Sequence, residues 1–122
     1  MRVIIAGGRD VPLSDGLRMV EEAIKQSGFP ITEMINGGAL GIDRAARVYW
    51  KDKFYDSPPE YPLTTMCAEW DRHGKAAGPI RNRRMASVAD ALIAVWDGKS
   101  RGAKNMIDVA KAFGLQVFVY RY

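Results

Sequence analysis

Apolar positions along the chain fall into two alternating kinds of segment, short continuous runs and longer stretches with helical spacing. Arg2 to Ala6 (RVIIA) is a continuous apolar run stopped by Gly7-Gly8, the pattern of a strand buried on both faces. Ser14 then offers an N-cap, Leu17, Val20 and Ile24 recur at helical spacing, and Gly28 supplies a stop. Ile31 to Ile35 predicts a second strand, interrupted by Thr32 and Glu33. After the glycine-rich turn from Asn36 to Gly41, a helix is expected from about Ile42, with Ala45, Ala46, Val48 and Tyr49 on its packing face. Residues 51 to 62 carry three prolines among charged and aromatic residues and predict a surface excursion. Leu63 to Ala68 predicts a short third strand. Trp70 to Gly78 predicts a loop, and Pro79 suits the first turn of a helix running to about Val88. Ala91 to Val95 (ALIAV) is a second strongly apolar inner strand. Asp97 to Gly102 is a turn, Ala103 to Phe113 a helix closed by Gly114, and Leu115 to Tyr120 a last strand.

This alternation of strand and helix with short connections implies right-handed crossovers, a parallel sheet and helices on both of its faces. In an open sheet of that kind ligands bind beyond the carboxyl ends of the strands, at the switch in strand order. The glycine turns lie there. The length of 122 residues suits one domain spanning 1–122.

Composition changes this picture little. Apolar residues make up 48% and charged residues 26%, values of an ordinary globular chain. No apolar run approaches a membrane span, and the N-terminal run is too short and too interrupted for a signal peptide. A membrane partner is therefore not expected, and a cytoplasmic location is. One cysteine, Cys67, excludes an intramolecular disulfide and reads as a buried strand residue. With one histidine, His73, it gives no basis for a metal site, and no cofactor is implied. The formal charge of +4 is modest. Its distribution is more telling: Arg72, Lys75, Arg81, Arg83 and Arg84 form one basic cluster, and Lys99, Arg101 and Lys104 a second. Each lies beside a glycine turn, which favours an anionic ligand, although for any single one of these residues a solvated helix face is the favoured reading.

Four loops hold the candidate chemistry. Gly7-Gly8-Arg9-Asp10 would let backbone N–H groups approach a ligand, with Arg9 on a phosphate and Asp10 on a ribose hydroxyl; a tight turn with a surface Arg-Asp pair explains it equally well. Gly37, Gly38 and Gly41 precede a helix start whose N–H groups and dipole favour an anion, with Asp43 either complementing that dipole or accepting from a sugar. The spacing matches neither the dinucleotide fingerprint nor a P-loop. In the third loop, Arg81 lies near the start of a helix and is expected to share a face with Arg84, with Asn82 and Met85 turned elsewhere. Gly98, Ser100, Arg101 and Gly102 form the fourth, ahead of another helix N-terminus.

The segments MRVIIAGGRD, INGGALGIDRAA, AGPIRNRRM and ADALIAVWDGKSRGAKNMI together resemble the SLOG superfamily, and within it the small bacterial and phage branch related to YspA and YpsA. That resemblance implies a three-layer α/β/α Rossmann-like open sheet of about five mainly parallel strands. It also implies a nucleotide-like ligand and a homodimer, for which Phe54, Tyr55 and Tyr61 would supply an exposed surface. The LOG enzymes of the superfamily are phosphoribohydrolases with an R-K-x-x-M helix and a P-G-G-x-G-T-x-x-E turn. Arg81, Asn82 and Met85 occupy the first motif, so that the arginine is kept and Asn82 stands at the lysine. In the second, Trp96-Asp97-Gly98 stands for P-G-G, and Met106 falls at the glutamate, where it cannot stabilise an oxocarbenium ion. Binding of a nucleotide or nucleotide-derived molecule, for sensing or sequestering, is thus the leading expectation. A glycosidic hydrolase using another carboxylate (Asp10, Asp43, Asp97 or Glu69) is the alternative. Single-stranded nucleic acid, as bound by the related DprA, ranks third, with Trp70 or Trp96 as stacking platforms.

Overall fold

The computed structural model describes residues 1–55 and 61–122. Five strands form one sheet: β1 (Arg2–Gly7), β2 (Glu33–Asn36), β3 (Leu63–Thr65), β4 (Ala91–Trp96) and β5 (Gln116–Arg121). Their order is β3-β2-β1-β4-β5 and every pairing is parallel. The helices are α1 (Leu13–Ser27), α2 (Ile42–Lys53), α3 (Trp70–His73), α4 (Ala77–Val88) and α5 (Arg101–Ala112), with a 3₁₀ turn at Gly74–Ala76. The protein is a three-layer Rossmann-like α/β fold.

Alternation along the inner strands explains the layers. Val3 and Ile5 of β1 and Ala91, Ile93 and Val95 of β4 join Val20, Ala23, Ile42, Ala45, Ala46 and Trp50 in one core under α1 and α2. Ile4 and Ala6, with Leu92 and Ala94, join Met85, Ala86, Met106, Ile107 and Ala110 in the other, under α4 and α5. Successive strand side chains point to opposite faces, so a continuous apolar run feeds two cores at once.

Several local expectations shift. α1 begins at Leu13 after Pro12 rather than at a Ser14 cap, because proline holds the extended backbone that precedes a first turn. Gly28 and Gly114 end α1 and α5 with φ of 67° and 78°. After α5 the Leu115 N–H bonds the Ala110 carbonyl and the Gly114 N–H the Lys111 carbonyl, closing the helix with these two terminal carbonyls satisfied. On α2 the packing face carries Trp50, which is buried, while Val48 faces solvent. The expected loop from Trp70 is mostly helical, running through α3 and the 3₁₀ turn into α4. β3 stops at Thr65, so Cys67 lies beyond it and is exposed, not buried. Part of the expected excursion at 51 to 62 lies outside the described residues. Of the surface proposed for a homodimer, only Tyr55 is exposed: Phe54 and Tyr61 stack at 4.3 Å and pack on Trp50. No helix among the described residues is long and apolar enough to cross a membrane.

Candidate functional site

From β1 the chain winds outward to β2 and β3, then returns across β1 to β4. The switch in direction therefore falls between β1 and β4, where the loops following those two strands part and leave a crevice. A cavity of about 790 Å³ occupies that place, a size suited to a small-molecule ligand. Its walls come from the loop after β1 (Gly7, Gly8, Arg9, Asp10), from Asp97 and Lys99 to Ala103 after β4, from Trp70, and from the start of α4.

Buried polar side chains form a network in this wall of the cavity. Arg81 is 9% exposed. Its Nη1 donates to the Gly37 carbonyl at 2.6 Å and its Nε to Asn82 Oδ1 at 2.9 Å, while Asn82 Nδ2 donates to Asn105 Oδ1 at 2.9 Å. Arg81 and Asn82 thus turn inward together with Met85, and Arg84 faces solvent, the reverse of the facing expected from the sequence. Asp43, 5% exposed, accepts from the Ala39 N–H at 3.2 Å. Burial pushes its carboxyl above the ordinary value, against the lowering effects of that N–H and of Arg81 and Arg47. Burial also pulls the Arg81 guanidinium down, and Asp43 offsets this.

Asp97 is differently engaged. Its Oδ1 accepts from the backbone N–H groups of Lys99 and Ser100, both at 2.8 Å. Those bonds hold its carboxyl below the usual range, and the carboxylate shapes its own turn. The α5 N-terminus behind this turn has no side-chain cap. The first N–H groups of the helix, at Arg101, Gly102 and Ala103, therefore have no partner within the helix, and all three residues line the cavity.

The seven glycines of the first, second and fourth candidate loops separate by what a side chain would meet. A Cβ at Gly41 would run into the backbone of Gly8 and Arg9; at Gly37, into Arg81 and Asp43; at Gly38, into Cys67; at Gly98, into Arg121; and at Gly7, into the Val95 carbonyl. Gly7, Gly37, Gly38 and Gly41 are required by packing, and Gly98 by its φ of 83°, since the Arg121 guanidinium it would meet is the end of a flexible side chain; Gly37, Gly38, Gly41 and Gly98 do not line the cavity. At Gly8 the contact is the mobile hydroxyl end of Tyr122, and at Gly102 nothing lies within 4 Å. Both of these line the cavity and have no left-handed φ. Gly102 is thus a glycine in a helical first turn that the protein's own packing does not demand.

Of the residues singled out from the sequence, Gly7, Gly8, Arg9, Asp10, Asp43, Arg81, Asp97, Ser100, Arg101 and Gly102 come together around the cavity. Arg72, Lys75, Arg83 and Arg84 lie on the exposed surface. His73 pairs with Glu69 at 3.4 Å. Asn82 and Asn105 were not anticipated as a pair; the available signal was an asparagine inside each of two helices with apolar faces. Asn36 was also missed. Fully buried, it accepts from the Gly38 N–H at 2.8 Å and donates to Thr65 Oγ1 at 3.0 Å, setting the second glycine turn against β3.

Fold and cavity together place the protein in the class of doubly wound α/β domains with a ligand-sized crevice at the switch point. No family model matches the chain. It is 33% identical over 88 residues to the Gene 61 protein of Mycobacterium phage D29, an alignment that spans 69% of this chain and 67% of that protein. The chain belongs to the family of that phage protein, whose name states no activity.

Proposed function

We propose that this protein is a SLOG-type domain that binds a nucleotide or nucleotide-derived small molecule through its phosphate, to sense or sequester it. The observation that carries this reading is the uncapped α5 N-terminus opening on the cavity, with Gly102 exposing its backbone to empty space. Three free N–H groups and the positive end of the helix dipole favour an anion there. Gly8 faces the same space from the loop after β1. Lys99 and Arg101 add charge at the rim and Arg81 in the wall. Three acids line the same cavity: burial favours the neutral form of Asp43, Asp97 stays ionised with one oxygen held by the N–H groups of its own loop, and Asp10 lies exposed at the edge.

A second reading, hydrolysis of the N-glycosidic bond, is favoured by Asp43 alone. A carboxyl pushed toward its protonated form in the wall of a ligand cavity suits a general acid, giving its proton to the departing base while water adds to the sugar carbon. Against the LOG version of that chemistry, Met106 is 1% exposed and packs with Ile4, Ile35 and Leu92 where the resemblance puts a glutamate.

Isothermal titration with AMP, ADP-ribose and cyclic nucleotides tests the binding reading. Absence of heat from every one at millimolar ligand would sink it. Release of free base from AMP, followed by chromatography, decides between binding and hydrolysis.

A further inference from the structure

The three tryptophans are held in different ways. Trp50 is 4% exposed and its Nε1 donates to the Tyr61 carbonyl at 2.9 Å. Trp96 donates to the Ser100 carbonyl at 3.0 Å and is covered by the Arg121 guanidinium, 5.1 Å from the ring centroid. Both are pinned. Trp70, the first residue of α3, is 46% exposed, lines the cavity, and has no acceptor for its Nε1 among the described residues. The Arg9 guanidinium lies 5.2 Å from its ring centroid, reaching over from the loop after β1. Arg9 makes no ion pair among the described residues. Its place over the ring is therefore set by the ring, a contact of modest strength at an exposed position.

Resting on the phosphate-binding reading above, we infer that Trp70 and Arg9 form a clamp at the cavity mouth for the planar base of the ligand, so that the ligand class is an aromatic-base nucleotide and not a sugar phosphate. The base would take the indole face that Arg9 now covers, and the guanidinium, on an exposed side chain, would move to the outer face of the base. Such a ring replaces one cation–π contact with a stack on each of its faces. Purines, having the larger face, gain most. The phosphate end is then left for the α5 N-terminus, which lines the same cavity.

Stacking of this kind is worth about 5- to 100-fold in affinity when the aromatic residue is cut to alanine. The experiment is titration of the wild type, Trp70→Ala and Trp70→Phe with AMP and, separately, with ribose 5-phosphate, alongside tryptophan emission. The expected result has three parts. The wild type binds AMP more tightly than ribose 5-phosphate; Trp70→Ala loses about 5- to 100-fold for AMP and less than about twofold for ribose 5-phosphate, with Trp70→Phe between; and AMP, but not ribose 5-phosphate, quenches an emission component missing from both variants. Equal wild-type affinity for the two ligands, or equal weakening of both by Trp70→Ala, overturns the clamp and leaves the phosphate site standing. If neither ligand binds the wild type, the phosphate reading falls and the clamp with it. Trp70→Phe keeps a ring in place, so its result stands even if the alanine variant loses stability.

Discussion

Replacing Gly102 by alanine should move stability and binding in opposite directions. The residue is the second of α5, its φ is not positive, and the added Cβ would meet no atom within 4 Å. Alanine in a backbone it can already adopt gains roughly 0.4–1 kcal/mol, through helix propensity and a less flexible unfolded chain. The first turn of a helix realises the lower half of that range. For a chain of 122 residues, about 0.5 kcal/mol raises Tm by roughly 2 °C. A phosphate held by the N–H groups of Gly102 and Ala103 needs oxygens at about 2.9 Å from those nitrogens. The new methyl group would stand in that approach and cost one or two charge-assisted bonds, each worth about 1.5–3 kcal/mol, so AMP affinity should fall at least about tenfold. Thermal unfolding by circular dichroism and titration with AMP measure the two effects on one preparation. A variant that gains stability and binds AMP as the wild type does would refute the reasoning that the open glycine serves a ligand. A variant that loses stability would refute the premise that its surroundings are empty.

Three other changes probe the scaffold beneath the cavity. Asp43→Asn removes a carboxyl whose folded-state value is raised by burial; the folded protein holds that proton more tightly, so the wild type loses stability as pH rises above the ordinary value of 3.8. The stability of the variant relative to the wild type, from urea unfolding at stepped pH, should therefore improve from pH 4 upward, and a difference that stays flat would count against the assignment. Arg81→Met strips the Gly37 carbonyl and Asn82 Oδ1 of their donor and leaves Arg47 as the remaining cation acting on Asp43. The expected cost is about 3 kcal/mol, seen as a lowered urea midpoint, from leaving two buried acceptors unpaired at about 1–3 kcal/mol each. Trp50→Ala empties a buried aromatic site and unpairs the Tyr61 carbonyl, at about 3–5 kcal/mol; a loss below about 1 kcal/mol would show that Phe54 and Tyr61 collapse into the space.

Legibility in the sequence followed how local the cause was. The β1 and β4 runs could be read directly because a strand buried on both faces needs every residue apolar, and Gly28 and Gly114 because an αL helix stop is a property of one residue. The extent of β3 and the helical course from Trp70 were not legible, since short segments there are stabilised by what they pack on and not by their own propensity. On α2, Val48 and Trp50 both suited a packing face. Trp50 is the one buried, because its ring meets Phe54 and its N–H reaches Tyr61.

The sequence alone determined the α/β alternation, and with it a parallel sheet whose four glycine-bearing turns meet at one edge. Tertiary structure decided which of those glycines face the cavity. A glycine is called for equally by a backbone that must bend, by a neighbour that must come close and by a ligand that must reach an N–H group. The sequence records the missing Cβ and not what fills its place. In the folded protein Gly7, Gly37, Gly38, Gly41 and Gly98 are filled by the chain itself, and Gly102 by nothing.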